Sequence, residues 1–248
     1  MPMILREGRP WRPVSPDWRA WPVAPAVGGA RAALALVWTL VSLAVVLGWV
    51  GSPHWLLLML DVTTEANAWT WMTGTVLMAG AYTHAGAAYA RWRRRRAGAG
   101  AWAVTAAIMA ALSFDDMVAL HERFLDPVGA AIAGQSGLTY HAWVVPGSVI
   151  ALAIVGLFVR SIRTSSAPVR RALVLGLALF FGGAIGIEAV SAAVADAQGH
   201  SVLYIHLYHL EEACEAVGAA VLVAAGLAEL PERAWRLGDW AVRERAEV

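Results

Sequence analysis

The chain has no lysine, and only one cysteine, Cys214, in 248 residues. Without lysine there is no amine to form a retinal-type Schiff base and no lysine nucleophile. A single cysteine excludes an intrachain disulfide and any multi-cysteine metal centre. Charge is scarce as well: charged residues make up 15%, against about a quarter in soluble domains. Hydrophobic residues make up 59%, and the mean hydropathy is +0.57. The balance is that of a membrane protein.

What is present is organised around six apolar runs near 30–50, 68–90, 98–120, 140–160, 172–194 and 203–228. Each has about the 20 residues needed to cross a bilayer. The fold class expected is therefore all-α, a polytopic membrane helical bundle of about six spans over residues 30–230. Residues 1–29 read as an interfacial or cytoplasmic arm, with Trp11, Trp18 and Trp21 suited to the headgroup zone. No apolar h-region with a cleavage site precedes the first run, so no signal peptide is expected. Residues 231–248 read as a cytoplasmic tail. The "AGAG" at 97–100 predicts a tight turn, and Gly182, Gly183 and Gly186 predict close helix packing.

Arginine supplies the orientation. Eighteen of the 19 arginines fall in four clusters, Arg6 to Arg31, Arg91 to Arg96, Arg160 to Arg171 and Arg233 to Arg245, at alternate ends of the runs. The positive-inside rule then puts both termini in the cytoplasm of a cell-membrane protein. The Arg91–Arg96 run reads as a topology anchor that binds anionic lipid headgroups; no nucleic-acid partner is implied. The remaining arginine, Arg123, is expected at the outer side.

Eleven of the 18 acids also fall at the outer end, a bias topology does not demand. Counted at 1.5 Å per residue from the nearest arginine anchors, Asp115, Glu188 and Glu215 come out roughly 26–28 Å up, on three different helices. Glu122, Glu212 and His209 form a tier at roughly 31–39 Å by the same count. Asp115 and Glu122, seven apart, are expected on one face of the third helix. His206, His209, Glu212 and Glu215 recur every three residues, with Glu211 and Glu215 as an alternative pairing. Ionised carboxylates at one membrane depth repel. Arg123 is the only nearby cation by this count, so shared protons or a metal ion must compensate. Carboxylates mixed with imidazole suit Zn, Fe or Mn.

The motifs "LSFDD" with "LHE", "LDVTTEANAWTW" and "LEEACEAVGA" together resemble an uncharacterised family of bacterial multi-pass membrane proteins, with S-L-D-E…H-E and E-E…E…G patterns. That resemblance implies positions of interest at Asp115, His121, Glu122, Glu188, Glu211, Glu212 and Glu215, with Asp61 and Glu65 beside them. Asp116 stands where that family has glutamate. Ser113, Asp115, His121, His206 and His209 also resemble the serine, aspartate and three histidines of the transmembrane metal hydrolases that include alkaline ceramidases. Those have paired histidines four apart, whereas His206 and His209 are three apart.

The metal ligands expected are drawn from Asp115, His121, Glu122, Glu188, His209, Glu212 and Glu215, with Glu122 and Asp116 as acid–base residues. The function expected is a membrane metalloprotein, either a hydrolase using a metal-bound water or a di-metal oxidase. A proton- or cation-coupled transporter or channel is the alternative, and a structural subunit of a membrane complex a third. Membrane lipids are the expected surroundings, with further copies or subunits as partners in that third case.

Overall fold

The computed structural model of the chain describes residues 23–46 and 54–230. The tryptophans of the arm, the arginines before Arg31 and the whole C-terminal tail lie outside these residues. Every regular element described is helical: α1 (Val23–Val46), α2 (His54–Leu60), α3 (Ala68–Arg93), α4 (Ala99–Val118), α5 (Asp126–Ala133), α6 (Val144–Thr164), α7 (Ala167–Phe181), α8 (Glu188–Gln198) and α9 (Val202–Glu229). Two π-helical segments, His121–Leu125 and Gly182–Ile187, follow α4 and join α7 to α8.

Among the described residues, four helical stretches are long and apolar enough to cross a membrane: Pro25–Leu43, Ala99–Val118, Val144–Thr164 and Ala167–Gln198. α3 and α9 have 26 and 28 residues, so length suffices for them; their polar residues set them apart. Large apolar side chains point outward on the membrane-length helices, for instance Val149 and Leu152 on α6. An outer surface of that kind is at home against lipid tails.

Local sequence explains the boundaries. Asn67 caps α3 by accepting hydrogen bonds from the N–H groups of Trp69 (2.7 Å) and Thr70 (3.1 Å), while the Thr70 hydroxyl accepts from Asn67 N–H (2.9 Å), a capping box. Of the turn expected at 97–100, Ala97 and Gly98 form it, with Gly98 at φ +88°, and α4 already begins at Ala99. α7 and α9 cross at bare backbone: a β-carbon on Gly218 would lie 2.5 Å from Phe180 N and 2.8 Å from Gly176 O. Of the three glycines expected to do this, only Gly183 does, against Glu211 O; Gly182 and Gly186 face open space. They lie instead in the π-helical segment that leads into Glu188.

The core is built from fully buried Leu77, Trp102, Met109, Phe158, Leu173 and Leu222. At one end of the bundle Arg91 bonds Glu229 (2.9 Å), Ala97 O (2.7 Å) and Thr164 O (3.1 Å), tying α3, α9 and the ends of α4 and α6 together. The acids gather at the opposite end.

Candidate functional site: a carboxylate-lined cavity

The acidic end encloses a cavity of about 510 Å³. Asp115 and Asp116 reach it from α4, and His121 and Glu122 from the π-helical turn behind it. Glu188 at the start of α8 and Glu65 from the loop before α3 close other sides. α9 adds Tyr208, Glu211, Glu212 and Glu215. The acids that the depth count set level on three helices thus share one wall-to-wall space.

The helix ends where the chemistry begins. α4 stops at Ala119, which takes a left-handed conformation at φ +51°. Asp115 organises the turn: one of its oxygens accepts the His121 backbone N–H (2.9 Å), and the other bonds His121 Nδ1 (3.0 Å). Both carboxylate oxygens are thereby engaged, and Nε2 of His121 is left available. The ring packs on Trp143 at a centroid distance of 4.4 Å. Seven-residue stacking along one helix is therefore not what brings Glu122 beside Asp115; the break at Ala119 and the wider turn do.

Glu65, His121 and Glu122 each bring one ligand atom to within 4.8 Å of the others. Across the cavity Glu188 pairs with His141 Nδ1 and receives a longer contact from Trp143 Nε1 (3.4 Å). Glu211, on α9, lines the same cavity as Glu188. Glu211 is 5% exposed, and its Oε2 has no hydrogen-bond partner. One oxygen each of Glu65 and Asp116 is buried and unpartnered in the same way.

The cation that balances part of this charge is Arg31. Its Nη1 donates to Glu212 Oε2 at 2.7 Å and its Nη2 to Trp69 O at 3.1 Å, with the guanidinium 5.3 Å above the Trp69 ring. Arg31 therefore belongs to the acidic end, not to the Arg91 end with which the arginine count grouped it. Arg123, the cation expected nearby, is exposed and does not line the cavity. The signal was present: Arg31 is the only charged residue between Arg19 and Asp61, and an isolated charge in an apolar helix seeks a buried partner.

Ionisation in the turn and loop reflects this crowding. Burial, then the charges of Glu212, Glu122, Asp115 and Glu188, push the Glu65 carboxyl up to about 8. Burial likewise raises Glu122, against the opposing pull of His121. For His121 burial acts downward, but the Asp115 hydrogen bond and charge outweigh it and the net shift is upward.

Several expectations need correction. His209 does not line the cavity; its ring sits against Trp69 at 5.0 Å. At about 100° per residue it lies roughly 60° around α9 from Glu212, away from the face shared by Tyr208, Glu211 and Glu215. Asp61 folds back on its own loop, accepting from Thr63 N–H (3.0 Å) and Oγ1 (2.8 Å). Asp126 and Asp196 brace the loop between α5 and α6 through Trp143 N–H (3.1 Å) and Gly137 N–H (2.7 Å). Sequence reasoning left Glu65 and His141 outside the ligand set; nothing in their spacing marks which loop residue folds inward.

A helical bundle with membrane-length apolar helices around a buried carboxylate–imidazole cavity defines the class. Within it, the chain belongs to the family described as a domain of unknown function (DUF8692), which matches residues 29–230. No curated protein and no solved structure matches it. The alkaline-ceramidase-like resemblance gains no support: Ser113 Oγ donates to Gly74 O, and His206 is exposed and bonded to Val202 O, so neither meets Asp115 and His121.

Proposed function

We propose that this is a six-span protein of the cell membrane, both termini cytoplasmic, whose cavity opens outward and binds a divalent transition metal. The observation that carries the reading is the approach of Glu65, His121 and Glu122 to within 4.8 Å of one another. His121 would ligate through Nε2, its other nitrogen held by Asp115 in the carboxylate–histidine arrangement typical of metal sites. One nitrogen with two or more carboxylate oxygens suits Mn or Fe, and Zn is also compatible. Glu188, Glu211 and Glu215 are further oxygen donors, whereas Glu212 is committed to Arg31.

Three protein ligands leave room for a water. A divalent metal held by Glu65, His121 and Glu122 would supply the chemistry of an activated water. Asp116 and Glu211, each with an oxygen free of hydrogen bonds, would take its proton. That is a hydrolytic reading. The surplus of carboxylates over Arg31 and one ion supports a second metal, which would turn the site toward di-metal oxidation as in other carboxylate bundles. A transport reading is less well supported. Between the cavity and Arg91 the described core is apolar apart from Thr73, His84, Thr105 and Ser161, and His84 is sealed between Thr105 Oγ1 (2.9 Å) and Leu222 O (3.0 Å).

Elemental analysis of detergent-purified protein tests the reading. Stoichiometric Mn, Fe or Zn, lost in Glu65→Ala and His121→Ala but kept in His209→Ala, supports it. Metal-free protein after expression in metal-supplemented medium sinks it.

A further inference from the structure

The acids occupy only one end of the cavity. Its other end is apolar, and three helices build it. Leu112 and Ile108 lie one and two turns below Asp115 on α4, Phe180 and Phe181 on α7 lie about two turns below Glu188, and Ile150 and Ile154 line it from α6. At 1.5 Å per residue the apolar end lies roughly 10 Å deeper in the bundle than the carboxylates. One continuous space thus runs from charged to hydrocarbon-like walls. Its volume falls within the roughly 300–1,000 Å³ of small-molecule sites.

The wall between α4 and α6 is the thin one. Phe124 behind α4 and Ile150 on α6 both line the cavity, yet are 68% and 45% exposed. Since α4 and α6 are both membrane-length apolar helices, that side faces lipid. A solute arriving through it comes from the bilayer. The carboxylates restrict its head. Eight of them line the cavity, Arg31 pairs with one, and a buried Glu211 oxygen still has no donor. Among the described lining residues His121 is the one basic side chain, so a phosphate or sulfate head would meet carboxyl oxygens and few donors to bind it.

We propose that the substrate of this site is a single-chain amphiphile with an uncharged or amine head, entering from the membrane between α4 and α6. Its alkyl chain lies among Ile108, Leu112, Ile150, Ile154 and Phe180, and its head reaches the Glu65–His121–Glu122 end. The inference rests on the metal reading for the chemistry, but on the cavity walls for the substrate class.

The test uses the full-length protein in lipid nanodiscs and hexadecylamine carrying a diazirine at the chain terminus. After photolysis, labelled residues are mapped by mass spectrometry. Labelling is expected to saturate at Ile108, Leu112, Ile150 and Ile154, and to be displaced by unlabelled hexadecylamine and hexadecanol but not by hexadecyl phosphate. Ile154→Trp fills the apolar end and is expected to reduce saturable labelling by about tenfold. Ile150→Trp, at the exposed wall, provides a second variant should the first fold poorly. Metal content is expected to stay unchanged in both. Non-saturable labelling spread over lipid-facing residues such as Val149 and Leu152, or equal displacement by hexadecyl phosphate, would overturn the proposal. Saturable labelling in metal-free wild-type protein overturns the metal reading and leaves the substrate class standing.

Discussion

Arg31 offers the most direct perturbation of the electrostatics at the acidic end. The ion pair with Glu212 is 2.7 Å long, with side chains only 3% and 11% exposed. Removing one partner of such a pair leaves a buried charge without compensation, which costs about 3–5 kcal/mol. In Arg31→Ala the loss is compounded by the hydrogen bond to Trp69 O and the stacking on its ring, the latter contributing about 0.5–2 kcal/mol. For a chain of this size 1 kcal/mol corresponds to roughly 2–4 °C, so a Tm decrease of roughly 7–28 °C is expected. The assay is thermal unfolding in detergent with chelator present, so that metal plays no part. The informative variant is the double substitution Arg31→Ala/Glu212→Gln. If uncompensated charge is the cause, neutralising Glu212 recovers most of the loss. A double variant as unstable as Arg31→Ala, or an Arg31→Ala variant within 2 °C of wild type, refutes the electrostatic account.

Three further outcomes follow from the geometry. Glu65 is held near 8 by burial and its acidic neighbours. Its folded pKa lies above the unfolded value, so its contribution to stability is full below about 4.5 and declines as pH rises to about 8; Glu65→Gln is expected to flatten stability against pH across that window, measured in chelator. Asp115→Asn frees the His121 ring and is expected to weaken metal affinity by about 10–100-fold, read in a competitive metal titration, with the fold retained by circular dichroism. Gly218→Ala places a β-carbon 2.5 Å from Phe180 N and is expected to destabilise the bundle by about 1–3 kcal/mol, whereas Gly182→Ala, which meets nothing, is expected to leave Tm within 2 °C.

Much of the site's vertical arrangement was legible in the residues. Asp115, Glu188 and Glu215 lie at fixed counts from arginines, and helical rise turns such counts into depth. Facing was harder. A three-residue series drifts around a helix, so His209 and Glu215 part company, while Tyr208, absent from the expected set, turns inward. The break at Ala119 has no glycine or proline to announce it. It is held by Asp115 bonding His121 six residues on, a local pairing that the residue types alone do not single out. Arg31 was assigned to the wrong end because the arginine count treats every arginine beside a run as an anchor; its partner, Glu212, is 181 positions away. The Glu188–His141 pair joins the start of α8 to the loop before α6 for the same non-local reason.

The central claim is that Glu65, His121 and Glu122 hold one metal ion. X-ray absorption at the metal edge, recorded on detergent-purified protein, tests it most directly. The account predicts a shell of carboxylate oxygens with one imidazole, and loss of the imidazole contribution in His121→Ala. A shell with no imidazole, or an imidazole that survives His121→Ala, would contradict it.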